Sequence, residues 1–485
     1  MKRKDIELKQ EFNINGLFPP QNLTVEFQPS PKQYEMWKCL EPNSCNLCGG
    51  EIIRKKEKDH NGTPLYTPVC KDCGNDNIPQ LILGGGSAGG GKMTLKDSLV
   101  CTPYGFKMLG ELAVGDFISS PTTGGKQQII QKHPEGTHDF YRITFEDGTH
   151  VDCSEGHLWE AWKTSGKDIT YDKYGNFMYG KVYETKAMYD FMEDKKRGKY
   201  KSSNLAIPVT APVEFYNYGN PDKRPIPPYA LGVLLGDGCF AESIMGKLGV
   251  PTLTSIDEHI VERLRSVGCT VNFKSKKINS KANDYYVDYP DIHNHIVKFG
   301  LYGKLSDTKF IPDAYKMSPI EDRFEILRGL IDTDAEVSKT GKVVYTTVSS
   351  QLAEDVAFIV RSLGGIANVR LNTNAGYKDN DGNFVKCKDA YNIRITFQDK
   401  SQIMTLPRKL ERLVKGGYNG GVSVLSKRIE SIEPIGKHTS FCITVSEPRG
   451  LYITNDFTVT HNSFVGCTWI AMNCIRFAGI RAVIA

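Results

Sequence analysis

The sequence lacks any run of about 18 apolar residues, the minimum for a helix that crosses a bilayer. Its most apolar stretch, residues 467–485 (CTWIAMNCIRFAGIRAVIA), carries two arginines. It also lacks a secretory start, because the basic opening MKRKDIELKQ is followed by no apolar core. Charge of one sign is scarce: 61 basic residues face 56 acidic ones, a net charge of +5. Affinity for nucleic acid must therefore come from local patches. Without a secretion signal, the 13 cysteines point to metal or catalytic roles in a reducing compartment, not to disulfides. A cytoplasmic, membrane-free protein is expected. Hydrophobic content of 40% and charged content of 24% are ordinary for a globular protein, and 485 residues leave room for about three domains.

Another absence is local. Residues 85–93 read GGSAGGGKM, which supplies Gly86, Gly91 and Lys92 of a phosphate-binding loop. The next residue should be Ser or Thr, whose hydroxyl holds Mg²⁺ for a bound nucleotide. Met93 stands there instead, and its thioether does not ligate a hard cation. The missing hydroxyl is found at Ser463. Joining Lys92 to Ser463 gives GSAGGGKSFVGCTWIAMNCIRF, a complete loop running into an amphipathic helix. Residues 93–462 interrupt it.

The borders of the interruption resemble an intein, a self-splicing element. TLKDSLVCTPYGFKMLGELAVGDFI (94–118) resembles the first intein block and DGTHVDCSEGHLW (147–159) the second, with His157. HTSFCITV (438–445) and VTHN (459–462) resemble the two carboxyl-terminal blocks. Each block alone would be weak. Four in order, beside an independently repaired loop, are specific. Most inteins open with Cys or Ser. Met93 cannot acylate, and the set Trp159, Cys442 and Thr460 resembles the class 3 inteins, which start from an internal cysteine.

That resemblance implies a reaction. The Cys442 thiolate attacks the Lys92 carbonyl and expels the Met93 amine, with His157 as the general acid. Ser463 Oγ takes the acyl group, and the Asn462 side chain cyclises onto its own carbonyl, which His461 polarises. An O-to-N shift then leaves a normal peptide bond. Trp159 and Thr460 shape the site without being consumed. A lone cysteine in a strand is more often a small buried hydrophobe, and a lone His157 would be an ordinary loop histidine. Cys101 is a rival nucleophile, but starting there would keep the phosphate loop broken.

Within the interruption, PYALGVLLGDG (228–238) and ILRGLIDTDA (326–335) resemble the two motifs of LAGLIDADG homing endonucleases. Gly232 and Gly236, and likewise Gly329 and Thr333, lie four apart, so two helices can approach closely. Asp237 and Asp334 then emerge together and can hold Mg²⁺ to activate water at scissile phosphates. Lys309 matches a position where the family often has an active-site lysine. DNA contact is expected from ribbons in 271–289, 341–350 and 391–400, with salt-dependent affinity. The partner implied is double-stranded DNA at the uninterrupted host site, bound by a monomer. The bland alternative is a pair of ordinary apolar helices, and KKRGKYK (195–201) is more often a solvated loop.

Flanking these, CNLC and CKDC supply Cys45, Cys48, Cys70 and Cys73, a set that would hold Zn²⁺ in a structural ribbon, with His60 as a substitute. FQPSPKQYEMW (27–37) resembles the adenine-contacting segment of large terminase subunits, with Gln33 as the reader. ATP binding is expected only of the complete spliced host, since the chain ends at Ala485 soon after Ser463 and reads as a host fragment. The organisation expected is a host segment over 1–92, splicing halves over 93–221 and 419–462, a nuclease over 222–418, and host again over 463–485. The fold class is an all-β Hint splicing domain with an inserted α+β nuclease, flanked by a zinc ribbon and a partial P-loop α/β piece. The rival reading is a truncated P-loop ATPase or terminase fragment with a degenerate insert.

Overall fold

Strands from opposite ends of the chain alternate in one large sheet, and that interleaving positions the first site. The computed structural model describes residues 52–58, 64–71 and 94–461, apart from short stretches at 134, 165–167, 172–176, 199–203, 218–219, 241–248, 278–280, 379–382, 416–423 and 448. Lys92, Met93, Asn462, Ser463, Gly86, Gly91, Cys45, Cys48 and Cys73 lie outside them. The chain divides into two units, 1–86 with 466–485, and 87–465. In the first, Ile52–Lys58 and Pro64–Cys70 pair antiparallel, Ile52 opposite Cys70.

In the second unit the sheet runs, strand by strand, Gly105–Met108, Leu99–Thr102, Leu451–Thr454, Thr458–His461, Leu158–Lys163, Leu205–Pro208, Ser426–Ser440, Gly136–Phe145 and His150–Ser154. The hairpin 451–461 thus inserts between two early strands. Alternating sequences such as KQQIIQK (Lys126–Lys132) build a smaller sheet with Phe117–Ser119 and Ile443–Val445. Strand alternation buries one face and wets the other. The expected all-β character needs correction here. Helix α1, Thr185–Lys196, packs Met188 and Met192, one turn apart, onto the sheet core of Ile143, Phe145, Trp159 and Ile432.

Residues 228–415 form a pseudo-symmetric pair of α+β halves. The first holds α2 (Pro228–Gly236), α3 (Glu258–Ser266) and α4 (Ile292–Lys298). A short α5 (Asp313–Lys316) leads to the second, with α6 (Ile320–Asp334), α7 (Ser350–Ser362) and α8 (Pro407–Lys415). Each half has a four-stranded sheet of the same topology: Gly238–Cys239, Thr252–Ser255, Asn283–Asp288, Thr270–Lys276, and Ala335–Val337, Val343–Thr347, Ala390–Thr396, Ile366–Asn372. Helices α2 and α6 cross between the halves inside one continuous core. A Cβ on Gly329 would sit 2.5 Å from the Tyr229 carbonyl, and one on Gly232 would overlap the Ile326 carbonyl. The small residues are therefore required by backbone-to-backbone contact.

The two modules meet in an aromatic cluster. Phe106, Phe215 and Phe457 of the large-sheet module surround Phe358 of α7, with Phe358–Phe457 centroids 5.0 Å apart. Fully buried Arg323 of α6 donates to the Val213 carbonyl and, at 3.0 Å, to the Ser318 carbonyl. Arg361 of α7 pairs with Asp456 at 2.8 Å. Asp456 and Phe457 both have left-handed backbones, φ 55° and 57°, immediately before the strand Thr458–His461. Non-glycine residues hold that conformation only where surroundings fix it.

Candidate active sites

The first described residue of the interruption, Thr94, is clamped from both sides. Its backbone bridges Cys153 on one flank and Phe441 on the other, and Ser440 Oγ donates to its carbonyl. Cys442 therefore lies one residue from the strand segment that holds Thr94. Its thiol is buried beside Phe140, Leu95 and Ile435, and its carbonyl accepts from His133 N at 2.8 Å. Tyr452 OH lies 3.5 Å from Thr94 Oγ1. Burial and the neighbouring Cys442 raise the Tyr452 pKa, so the phenol stays protonated.

His157 Nε2 and Thr460 Oγ1 are 2.5 Å apart. His461 pairs with Leu451 and Leu158 in the sheet and is buried. Trp159 is fully buried, its ring 5.4 Å from that of His157 at 70°. Of the sequence-predicted group, His157, Trp159, Thr460 and His461 come together where strands 158–163 and 458–461 adjoin, whereas Cys442 lies just past strand Ser426–Ser440, next to the residue that bridges Thr94. Cys101 does not join it. It packs with Val213, Phe215, Ile453 and Phe457 at the module boundary, and burial pushes its thiol up to about 12. A thiol held protonated is a poor nucleophile. Ser440 and Tyr452 were missed by the sequence reading. Ser440 lies inside the block 438–445 and Tyr452 between the two carboxyl-terminal blocks, and neither carries a local pattern that marks it.

The second site lies where α2 and α6 end. Asp237 follows α2 and Asp334 closes α6. A Cβ on Gly236 would lie 3.1 Å from Asp334 Oδ2, which shows how close the two ends run. Burial, then the Asp237 charge, push the Asp334 carboxyl up to about 7, and burial raises Asp237 as well. Lys309 is buried, with Nζ donating to the Leu234, Gly236 and Gly238 carbonyls at 3.2, 3.0 and 2.8 Å. It satisfies orphan carbonyls at the end of α2 while its charge lowers both aspartates.

Lys409 repeats this on α6, donating to the Ile331 and Asp332 carbonyls at 2.5 and 2.8 Å. Burial lowers it to about 8. The sequence reading missed it, although it follows Asp334 at nearly the offset at which Lys309 follows Asp237. Among the described residues no cluster of three or more His, Cys, Asp or Glu is placed to hold a metal. Two carboxylates still suit Mg²⁺, which keeps waters and takes substrate phosphates as its remaining ligands. A cation there would relieve the like-charge burden on the pair.

Of the proposed ribbons, 270–276 and 283–288 form an antiparallel pair with residues 272–277 exposed, including Lys274 and Lys276. Thr346 and Arg394 face solvent on the second sheet. Arg370, on the adjoining strand Ile366–Asn372, is exposed there too and was not anticipated. No helix among the described residues is long and apolar enough to cross a membrane.

Comparison with known proteins bears on the second site first. Residues 321–413 match the family model described as LAGLIDADG-like domain. Residues 321–413 are thus similar to that family. Over 398 residues it is 25% identical to a replicative DNA helicase DnaB of Mycobacterium intracellulare, covering 80% of this chain and 61% of that relative. Similar solved structures include variants of the homing endonuclease I-DmoI at 12% identity and a TM-score of 0.26, spanning 39% of this chain and 97% of the other. The gp41-1 intein is another, at 28% identity and a TM-score of 0.14, spanning 19% and 75%.

Proposed function

We propose that residues 93–462 excise themselves and join Lys92 to Ser463, and that the inserted module cuts double-stranded DNA at the uninterrupted host site. The observation that carries the splicing reading is the seat of Thr94, held between Cys153 and Phe441 with Cys442 next to it. The reading requires the Lys92–Met93 bond, beyond Met93 from Thr94, to come within reach of the Cys442 sulfur. Sulfur attack on the Lys92 carbonyl forms a thioester and breaks the bond to Met93, whose amine takes a proton from His157. Thr460 holds His157 for that transfer. Ser463 Oγ next attacks the thioester and returns Cys442 as thiol. Asn462 closes a succinimide on its own carbonyl, cutting the bond to Ser463, and the freed amine takes the acyl group from Oγ. Each step replaces one difficult transamidation with easier ones.

In the nuclease, Asp237 and Asp334 would hold Mg²⁺, which activates water and stabilises the leaving oxygen when bound. Lys309 and Lys409 hold positive charge beside the pair, and the exposed Lys274, Lys276, Arg370 and Arg394 would meet phosphates. The class 3 assignment, a monomeric state and a cytoplasmic setting belong to the same proposal. The host would be a P-loop protein, completed by Gly86, Gly91, Lys92 and Ser463, with Zn²⁺ on Cys45, Cys48, Cys70 and Cys73. The hairpin that places Cys70 opposite Ile52 supports a ribbon there. The terminase resemblance of residues 27–37 stands as part of that host proposal.

Mass measurement after expression tests the splicing reading. A product lacking residues 93–462 and a free excised segment are expected, and Cys442→Ala should abolish both. Joining that survives Cys442→Ala would refute the nucleophile. Mg²⁺-dependent cutting of host-site DNA should vanish in Asp237→Asn with Asp334→Asn.

A further inference from the structure

The structure holds one buried hydroxyl that ties the predicted splice-site residues together and that no motif contains. Thr185 is the first residue of α1 and fully buried. Its Oγ1 donates to the His157 carbonyl at 3.1 Å, and its backbone N–H donates to the same carbonyl at 2.9 Å. Trp159 Nε1 donates to Oγ1 at 3.1 Å, and Cys153 Sγ lies 3.3 Å from it. A hydroxyl has one proton to give and two lone pairs to accept with. With the proton given to His157, the indole and the thiol must both donate. Every hydrogen-bonding position of Thr185 is then used.

We propose that Thr185 is a positioning residue for splicing, and that Trp159 acts on the reaction through it. This rests on the splicing reading above. His157 must place its ring against two groups at once, Thr460 Oγ1 and the leaving amine. Its own backbone is fixed by the double bond from Thr185, which sits at the start of a helix anchored in the sheet core by Met188 and Met192. Trp159, two residues on, locks the rotamer of Thr185 with its indole N–H and packs its ring edge-on to His157. Cys153, the residue whose backbone bridges Thr94, closes the circuit from the other side. One oxygen therefore registers the acid, the indole and the strand that seats the amino-terminal junction. Three polar contacts converging on an atom with no water access leave little freedom for any of them.

The test uses the full chain, with precursor purified unfolded and joining followed by mass after refolding. Thr185→Val keeps the shape and removes the hydroxyl. Thr185→Ser restores it. Joining should slow on the order of 10–100-fold in Thr185→Val, as when a general acid is displaced, and return to within about threefold in Thr185→Ser. Trp159→Phe keeps a ring and deletes the N–H. Combined with Thr185→Val it should slow joining no further than Thr185→Val alone, because coupled residues are not additive. In a Cys442→Ala background, where no acyl transfer intervenes, Thr185→Val should also speed exchange of the Trp159 indole proton at least about tenfold. Unchanged joining in Thr185→Val, multiplying effects of the two variants, or failure of Thr185→Ser to rescue would each overturn the inference and leave splicing itself intact. If the unaltered chain does not join, the splicing reading fails, and this inference with it.

Discussion

Asp334→Asn should stabilise the nuclease module at neutral pH, and only there. The carboxyl goes from 3.8 up to about 7 in the folded protein, through burial first and the Asp237 charge second. At about 1.4 kcal/mol for each tenfold, that is about 4 kcal/mol. The sign follows from which state holds the proton longer. Between 3.8 and about 7 the folded chain keeps it and the unfolded chain does not, so stability falls as pH rises across that window and levels off above it. Asparagine has nothing to lose. The variant should match the native chain near pH 4 and exceed it by about 4 kcal/mol at pH 8, on the order of 10 °C in melting temperature for a module of this size. Calorimetry in chelator, in a Cys442→Ala background that keeps the chain whole, would measure the gap. Mg²⁺ should narrow it at pH 8, because the cation binds the native carboxylates and stabilises that form by mass action. A gap independent of pH, or a variant less stable at pH 8, would refute the reasoning that the two helix ends bury a charge that Lys309 and Lys409 only partly offset.

Gly329→Ala should unfold the nuclease module or cost more than about 3 kcal/mol, because its Cβ would press on the Tyr229 carbonyl and the Val233 amide; protease sensitivity within 228–415 would report it. Lys409→Met should abolish cutting while Lys409→Arg retains part of it, read as cleavage rate on host-site DNA, since both the carbonyls at the end of α6 and the charge beside Asp334 are lost. Cys101 should resist alkylation by iodoacetamide in the folded chain at pH 8, as a thiol pushed up to about 12 by burial must, and Cys101→Ala should splice; fast labelling by peptide mapping would contradict its placement. Deleting 222–418 should leave a splicing domain that aggregates, because Phe106 and Phe457 lose Phe358 as a cover. Light scattering would measure this, and polar substitution at Phe457 should relieve it.

How much of this was legible depends on whether the physics was local. The glycine spacing that lets α2 and α6 touch is a property of one helix face, so Gly232, Gly236 and Gly329 could be read directly, together with the acids that terminate those helices. His157 and Thr460 could be associated only through the resemblance to the intein blocks, because their contact arises from the insertion of strand 458–461 beside 158–163. Lys409 had a signal, the repeat offset from the motif acid, and it was overlooked. Helix α1 also had one, since Met188 and Met192 stand a turn apart in TKAMYDFMEDKK, but the all-β expectation overrode it. Thr185 had none, because a threonine opening a helix looks like an ordinary cap. The left-handed turn at Asp456 and Phe457 was equally hidden, for it contains no glycine and is held from outside by Arg361 and Phe358. That last case shows where the inserted module reaches the chemistry. The residues fixing the entry to the strand that carries Thr460 and His461 come from α7, so the two modules share a boundary that neither sequence motif marks.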